Sequence, residues 1–294
     1  MKKIVADILL DRHMINQNIL ENLVEGKPYL DHKNAVLSAP VRHMFMIATI
    51  WFLIKQNKER NLSIMEIGTW FGASALSWAQ GLTEHSNSKG SLTCVDAWKP
   101  FFDLKEHKNN DYVLEMEELL ESDFAYNIFL HNINTVPKSI TTQHFRGKSE
   151  NILNCLKDET YSVIFIDADH TYNFVKKDIM NSLRLVENYG IICGDDLNIQ
   201  MKNVDRNFAI QNKNKDFIKD PKTNKNYHPG VTVAIEEMFG EVSSWGGFWA
   251  MQKIDGNWGK ISLKDMPIIY PKHFNQENLD KAKNHYNDIK DSLD

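Results

Sequence analysis

Short apolar runs alternate with helical patterns between residues 60 and 196. The apolar runs lack the strict alternation of a half-exposed strand, which is typical of parallel strands that are buried on both faces. Five strands are predicted, with the ranges 63–68, 90–98, 139–147, 162–167 and 190–196. Helical spacing separates them, at 72–82, 150–156 and 172–190. This alternation predicts an α/β fold with a doubly wound, mostly parallel sheet.

Two of the predicted helices are amphipathic. The helix at 172–190 places Phe174 on its apolar face, and Gly190 is expected to cap its C terminus. Residues 103–123 predict an acidic helix, and Tyr112 is expected on its apolar face. Both helices are therefore expected to bury one face and to leave the other in solvent.

The segments that flank the sheet pattern divide the chain into three parts. Residues 1–60 predict a helical cap, whose most apolar stretch is too short to span a bilayer. Residues 61–260 predict the sheet domain, in which 197–230 form a long basic insertion, and loops of that length are usually lids or disordered segments. The stretch 242–261 predicts one or two further strands, and residues 261–294 predict a helical tail.

Composition and charge exclude several classes of protein. The chain of 294 residues is 42% hydrophobic and 25% charged, a balance typical of soluble globular proteins. Its net charge of −5 argues against nucleic-acid binding, which usually requires a basic surface. Asp7 and Asp11 interrupt the apolar start, so neither a signal peptide nor a membrane anchor is expected. The three cysteines show no paired or metal-binding spacing, which indicates a reducing cytoplasm.

Glycines, an acid and a serine follow the first three strands, at the edge of the sheet where α/β folds bind ligands. Gly68 and Gly72 allow a ligand to approach the backbone closely, although a tight turn explains them equally well. They do not form G-x-G-x-x-G, which disfavours a dinucleotide pyrophosphate. Asp96 ends the second strand and is either a ribose ligand or a helix N-cap. With Gly147 and Ser149 after the third strand, these loops predict a nucleoside pocket without a pyrophosphate.

Aspartates end the fourth and fifth strands, which are neighbours in a sheet of this topology. Asp167, Asp195 and Asp196 should therefore converge above the sheet, with Asp169 nearby. Carboxylates this close repel each other, so either some hold protons or a cation neutralises them. The motifs contain no obvious basic partner, and oxygen ligands alone favour Mg²⁺, with Mn²⁺ or Ca²⁺ as alternatives. Each aspartate also has a structural alternative, as a turn residue or a helix cap.

Five segments together resemble a known family. Class I S-adenosylmethionine-dependent methyltransferases have successive motifs that are similar to "MEIGTWFGAS", "CVDAW", "FRGKSEN", "IFIDADHTY" and "IICGDD". The chain most resembles the metal-dependent small-molecule O-methyltransferases, of the catechol, caffeoyl-CoA and antibiotic-sugar types. The resemblance covers residues 60–196, extends weakly to 228–239, and implies a seven-stranded Rossmann-like sheet.

The resemblance also implies roles for individual residues. S-adenosylmethionine is the implied cofactor, with Glu66 and Gly68 at its methionine part, Asp96 at its ribose and Ser149 near its adenine. The implied cofactor-binding residues are Glu66, Gly68, Thr69, Gly72, Ser74, Asp96, Ala97, Gly147, Lys148, Ser149 and Asp167. The implied metal ligands are Asp167, Asp195 and Asp196.

A base that deprotonates the acceptor hydroxyl is implied at one of two positions. His170 stands where the catechol and caffeoyl-CoA types carry a catalytic lysine, and Asp169 stands where the sugar-modifying type has its proposed base. We favour His170 because histidine titrates near neutral pH. Asp196 matches the sugar-modifying type, where the catechol type has asparagine, so the acceptor class stays open.

The combined interpretation is an enzyme that methylates a hydroxyl of a small molecule, either a sugar or a phenolic metabolite, with help from a divalent cation. A metal-independent methyltransferase is the first alternative, an NAD(P)-binding oxidoreductase the second and a non-catalytic binding module the third. The expected partner is the small-molecule acceptor, without nucleic acid or membrane, and a homodimer is a further option. The basic insertion either grips an anionic acceptor or is a solvated loop.

Overall fold

The computed structural model describes residues 17–101 and 110–293 as layers of helices around a central sheet. The described strands are β1 (Ser63–Ile67), β2 (Gly90–Asp96), β3 (Ile140–Arg146), β4 (Tyr161–Ile166), β5 (Val186–Gly194), β6 (Ile218–Lys219), β7 (Asn226–Tyr227), β8 (Ser243–Trp245), β9 (Phe248–Ile254) and β10 (Asn257–Lys260). The described α-helices are α1 (Gln17–Glu25), α2 (Pro40–Gln56), α3 (Ala73–His85), α4 (Asp111–Glu121), α5 (Phe124–Asn134), α6 (Ser149–Leu153), α7 (Tyr172–Leu185), α8 (Arg206–Gln211), α9 (Pro229–Phe239) and α10 (Gln276–Ile289).

An eight-stranded sheet has the order β10–β9–β5–β4–β1–β2–β3, with β8 also paired to β9. The strands from β3 to β5 along this order pair in parallel. β9 runs antiparallel to its three partners β5, β8 and β10. From β1 the strand order runs through β2 and β3 towards one edge of the sheet and through β4 and β5 towards the other. The topological switch point therefore lies between β1 and β4. The sheet has one strand more than the seven expected, because residues 242–261 form three strands.

Helices cover both faces of the sheet. α2 packs against α3 and α10, and their apolar side chains share one core with Phe165 of β4. α7 packs against α9, and these helices share a second core with Ile164 of the same strand. Successive strand residues point to opposite faces, so β4 is buried on both sides, as its unbroken apolar run predicted. The doubly wound, mostly parallel α/β fold is therefore confirmed.

The long helix α2 carries the most apolar stretch of the chain and is buried over most of its length. Pro40 occupies its first turn, where the missing N–H costs no hydrogen bond. Arg42 and His43 are polar residues that lie buried within this helix. Within the described ranges, no helix is both long enough and apolar enough to cross a membrane.

The end of α7 differs from the prediction. The helix stops at Leu185 and β5 begins at Val186, so Gly190 lies inside a strand and not at a helix C-cap. Gly190 is closely packed there, because an added Cβ atom would lie 2.7 Å from a Val186 methyl carbon. Phe174 is 48% exposed, contrary to expectation, since the buried face of α7 passes through Val175 instead.

The basic insertion is an ordered segment. It contains the 3₁₀-helix Met201–Asn203, α8 and the short β6–β7 hairpin. Asp205 caps α8 by accepting the N–H of Phe208 at 3.0 Å. Asp220 is fully buried and accepts the N–H groups of Asp205 and Thr223. Acidic side chains that bind backbone N–H groups thus organise the insertion, and apolar periodicity does not reveal them.

The acidic helix begins later than predicted. It corresponds to α4, which starts at Asp111, whereas residues 102–109 lie outside the described residues. Val113 and Met116 are buried on its apolar face. Tyr112 is 47% exposed, so its predicted position on that face is wrong, because the first buried residue of the helix is Val113.

Candidate active site

Three aspartates meet where β4 and β5 end. Asp167 directly follows β4, while Asp195 and Asp196 directly follow β5, its parallel neighbour. One carboxylate oxygen from each of the three lies within 4.8 Å of the others. The expected convergence is therefore confirmed, and we name these three side chains the carboxylate rim.

Arg42 on α2 is the counterion of the carboxylate rim. Its Nη1 atom lies 2.6 Å from Asp195 Oδ1 and 2.9 Å from Asp196 Oδ1, and its side chain is only 7% exposed. Its Nε atom donates to the carbonyl of Gly246 at 2.7 Å, and a Cβ atom on Gly247 would overlap with the guanidinium. The sequence motifs contain no basic residue that could pair with the rim carboxylates, but Arg42 reaches them from outside these motifs. The expectation that no basic residue balances the charge of the aspartates is therefore wrong.

Burial raises the pKa of two rim carboxyls. The pKa of Asp167 is well above its ordinary value because the group is buried and faces the charges of Asp195 and Asp196. Burial also raises the pKa of Asp195, although the charge of Arg42 acts in the opposite sense. The contacts of Asp195 with Ser38 and Arg42 lower its pKa, but burial outweighs them. The oxygens of three carboxylates this close to one another suit a cation as ligands.

Two histidines, His170 and His228, lie against Asp196, and we name them the histidine pair. His170 Nε2 lies 3.0 Å from Asp196 Oδ2, and its Nδ1 lies 2.8 Å from Asp216 Oδ1. His228 Nδ1 lies 2.8 Å from the carbonyl oxygen of Asp216, and its Nε2 lies 3.9 Å from Asp196 Oδ1. Burial opposes a charge on His170, but the hydrogen bonds to Asp196 and Asp216 raise its pKa well above the ordinary value. Burial likewise opposes a charge on Asp196, yet His170 and Arg42 lower its pKa.

The two candidate bases occupy different positions. Asp169 Oδ1 accepts the N–H and the hydroxyl of Thr171, both at 2.6 Å, just before α7 begins. His170 faces the carboxylate rim, with a carboxylate opposite each ring nitrogen. An imidazolium carries a proton on both ring nitrogens, so His170 has to release one of them before it can act as a base. The choice between the two bases stays a prediction.

The loop after β1 depends on close backbone packing. Gly68 has a φ of +86°, and an added Cβ atom would overlap with the backbone carbonyl of Asp167. Asp96 Oδ2 accepts the N–H groups of Thr69 at 2.8 Å and Trp70 at 2.9 Å. Asp96 therefore fastens this loop to the end of β2, and its carboxylate oxygens retain acceptor positions for a ribose hydroxyl.

Glu66 lies inside β1 and has no exposed surface. Its carboxylate accepts a hydrogen bond from the hydroxyl of Ser74 on α3, and the thiol of Cys94 lies 3.9 Å away. Burial raises the pKa of Glu66 to about 8. The predicted contact with a cofactor amino group requires the ionised carboxylate, so that contact is expected to depend on pH.

The loop after β3 leads directly into α6. Ser149 begins this helix, and its hydroxyl donates to Asp178 Oδ1 at 2.6 Å. Asp178 is buried, and burial raises its pKa to about 6. The remaining predicted cofactor positions lie in the loops after β1, β2 and β3, at Gly72, Ala97, Gly147 and Lys148.

A family model for a methyltransferase domain matches residues 65–197, from β1 to just beyond β5. We refer to residues 65–197 as the methyltransferase domain. The match confirms the expected enzyme class, methyl transfer. A comparison with curated proteins gave no match.

Several solved structures are similar to the chain that carries this methyltransferase domain. The O-methyltransferase NovP is 15% identical, with 73% of this chain and 80% of NovP aligned at a TM-score of 0.48. An O-methyltransferase from Bacillus cereus in complex with SAH is 19% identical, with 83% of this chain and 94% of that chain aligned at a TM-score of 0.42. The TDP-rhamnose 3′-O-methyltransferase CalS11 of calicheamicin biosynthesis is 14% identical, with 85% and 91% aligned at a TM-score of 0.40.

Three residues at the site, Arg42, Asp216 and His228, come from outside the methyltransferase domain, and sequence reasoning missed the first two. Arg42 precedes the domain on α2, where its isolated position in the apolar run "PVRHMFMIATIW" is the available signal. Asp216 follows the domain in the basic insertion, and nothing in its polar surroundings sets it apart. Both reach the carboxylate rim or the histidine pair through tertiary packing.

Proposed function

We propose that the protein transfers the methyl group of S-adenosylmethionine to a hydroxyl of a small molecule, with a divalent cation at the carboxylate rim. The meeting of Asp167, Asp195 and Asp196 at the carboxyl edge of the methyltransferase domain carries this proposal. Ligands of α/β sheets bind at this edge, beside the switch point between β1 and β4. The acidic site and the loops proposed for the cofactor are therefore neighbours.

The composition of the carboxylate rim fits a hard divalent cation. Its ligand atoms are oxygens that lie within 4.8 Å of one another, which suits an ion with metal–oxygen bonds of about 2.0–2.5 Å. Asp195 is buried, so little solvent stabilises its charge, and a bound cation would do so. The absence of sulfur ligands favours Mg²⁺, with Mn²⁺ or Ca²⁺ as alternatives.

The loops beside the rim fit S-adenosylmethionine. Gly68 packs directly against the backbone of Asp167, which holds the loop after β1 beside the carboxylate rim. Glu66 and Asp96 are acids that suit the ammonium group and the ribose hydroxyls of the cofactor. Ser149 stands at the start of α6, after β3, in the position proposed for the adenine.

The chemistry requires an aligned and deprotonated acceptor oxygen. S-adenosylmethionine supplies an electrophilic sulfonium methyl group when bound, and a divalent cation lowers the pKa of a hydroxyl beside it. The bond between the methyl carbon and sulfur breaks, a bond from that carbon to the acceptor oxygen forms, and the hydroxyl proton leaves to a base. Holding the oxygen in line with the methyl–sulfur bond removes about 7 kcal/mol or more of the barrier in favourable cases. His170 and Asp169 are the proposed candidates for the base.

Arg42 favours a second candidate, a metal-independent methyltransferase of the same fold. The guanidinium of Arg42 and the imidazolium of His170 place two positive charges beside the three rim carboxylates. These residues offset part of the repulsion that a cation would otherwise have to relieve. In this alternative the aspartates act on the acceptor directly.

A methyl-transfer screen with labelled S-adenosylmethionine, run with and without a chelator, tests the proposal. We expect label to enter a hydroxylated acceptor, and we expect the chelator to abolish the transfer. Transfer that survives the chelator would support the metal-independent alternative. Thermal unfolding provides the control, because a ligand that binds only the folded state raises the melting temperature. Stabilisation by NAD(H) but not by S-adenosylhomocysteine would contradict both candidates.

A further inference from the structure

The histidine pair has an arrangement that salt bridges alone do not explain. Both rings present Nδ1 to Asp216 and Nε2 to Asp196. The His228 Nδ1 atom lies 2.8 Å from the carbonyl oxygen of Asp216, and a carbonyl oxygen can only accept, so Nδ1 carries the proton. In the neutral ring, His228 Nε2 then has a lone pair that faces a carboxylate.

Two acceptors face each other across this gap. His228 Nε2 and Asp196 Oδ1 are 3.9 Å apart, which is too long for a hydrogen bond. A transition-metal ion between them would form bonds of about 2.0–2.2 Å to each, and these bonds span up to about 4.2 Å. The distance therefore suits a shared cation better than a shared proton.

His170 completes the ligand set. Its Nε2 atom lies 3.0 Å from Asp196 Oδ2, on the same side of the histidine pair as Nε2 of His228. One ligand atom from each of His170, His228 and Asp196 lies within 4.8 Å of the others. Two imidazoles and one carboxylate form a ligand set that binds divalent transition metals and leaves further positions open.

The surroundings of the histidine pair are those of a metal centre. Ligating histidines usually donate their second ring N–H to a carboxylate or a carbonyl, which fixes the tautomer and the ring orientation. Asp216 serves both rings in this way, through Oδ1 at 2.8 Å from His170 and through its carbonyl at 2.8 Å from His228. The ring of Phe217 packs on His228 with a centroid distance of 4.7 Å and shields one side.

We infer that His170, His228 and Asp196 form a binding site for a divalent first-row transition-metal ion, separate from the carboxylate rim but sharing Asp196 with it. The nitrogen ligands select ions such as Zn²⁺, Fe²⁺ or Ni²⁺, whereas the rim offers oxygen alone. The site does not require the cation proposed at the rim. It uses the same Nε2 atom that His170 would need as a base, so the two roles of His170 exclude each other.

Titration with Co²⁺ in excess Mg²⁺ tests this inference, because Co²⁺ bound to nitrogen ligands absorbs visible light and Mg²⁺ disfavours imidazole. We expect the full-length protein to bind one equivalent of Co²⁺ with such absorption. His228→Gln should weaken this binding at least about tenfold. His144→Gln is the matched control, because His144 contacts Tyr126 far from this cluster, and it should bind as the unmodified protein does.

Two further variants separate this site from the proposed function. Asp216→Ala keeps all three ligands and should still weaken Co²⁺ binding at least about tenfold, because it removes the carboxylate that accepts the Nδ1–H of His170, whereas the backbone carbonyl that faces His228 remains. Asp167→Asn alters only the carboxylate rim and should leave the Co²⁺ absorption intact, whether or not the rim binds Mg²⁺. Co²⁺ absorption and affinity that are unchanged in both His228→Gln and Asp216→Ala would overturn the inference. Loss of the Co²⁺ absorption in Asp167→Asn alone would assign the bound ion to the rim, and this result would also overturn the inference.

Discussion

Arg42 Nη1 lies 2.6 Å from Asp195 Oδ1 and 2.9 Å from Asp196 Oδ1 in the buried part of the site, so one guanidinium faces both acids that follow β5. The contact joins α2, which precedes the methyltransferase domain, to the end of β5 inside it. Arg42 therefore balances part of the negative charge of the carboxylate rim. We expect this ion pair to keep the rim folded when no cation is bound.

Arg42→Met is expected to destabilise the protein by about 3–5 kcal/mol, because it leaves buried carboxylates without their counterion. Mg²⁺ should recover part of this loss, since a cation at the rim replaces the missing charge. Urea unfolding with and without Mg²⁺ measures both effects.

Arg206→Met is the matched control, because Arg206 pairs with Glu236 on the surface. This substitution should lower the free energy of unfolding by at most about 1 kcal/mol, with or without Mg²⁺. An Arg42→Met protein that Mg²⁺ does not stabilise would contradict a cation at the rim.

Gly68→Ala is expected to destabilise the protein by about 3 kcal/mol or more and to abolish binding of S-adenosylhomocysteine. The new methyl group would overlap with the backbone of Asp167, and the φ of +86° adds strain. Gly256→Ala separates the two causes, because Gly256 has a φ of +81° and open space around it. That control should cost only about 1–2 kcal/mol and keep cofactor binding. Equal losses in the two variants would show that the contact with Asp167 is unimportant.

The affinity for S-adenosylhomocysteine is expected to rise with pH up to about 8, the raised pKa of Glu66. Below that pH the free protein holds a proton on Glu66, which must leave before the carboxylate can bind the ligand's ammonium group. One released proton corresponds to about a tenfold change in affinity per pH unit. Calorimetry of the unmodified protein and Glu66→Gln measures this effect. The variant should lose that tenfold dependence, and an identical pH slope in both proteins would remove Glu66 from the amino-group site.

Stability is expected to fall as the pH drops below about 6.5, because two histidines are buried without charge. His43 lies 2.8 Å from Ser77 Oγ and its pKa is well below the ordinary value through burial, while burial lowers the pKa of His273 to about 3. The unfolded chain then binds more protons than the folded one, so each histidine costs about 1.4 kcal/mol per pH unit below 6.5, until its folded pKa is reached. Unfolding of His273→Asn at several pH values isolates one of them. A variant whose stability falls with pH as steeply as that of the unmodified protein would refute this origin.

The sequence predicted the sheet and its ligand edge because their signals are local. β4 is buried on both faces, and its unbroken apolar run predicts this burial without any tertiary information. The glycine and aspartate residues after the parallel strands fall at one edge for the same topological reason, which is why the convergence of Asp167 with Asp195 could be predicted.

The rest of the site depends on contacts between segments far apart in the chain. Arg42 lies more than a hundred residues before Asp195, and its role follows from the packing of α2 on the sheet. Asp216 reaches the histidine pair because Asp205 and Asp220 fold the insertion through backbone hydrogen bonds. No periodicity or spacing encodes these contacts, so sequence reasoning treated the insertion as a loop.

A diffraction experiment on crystals soaked in Mn²⁺ and S-adenosylhomocysteine tests the central claim most directly. Anomalous difference density should reveal an ion within bonding distance of carboxylate oxygens from Asp167, Asp195 and Asp196. A rim without anomalous density, with Arg42 still seated between Asp195 and Asp196 and S-adenosylhomocysteine bound beside it, would contradict cation-assisted methyl transfer at this site.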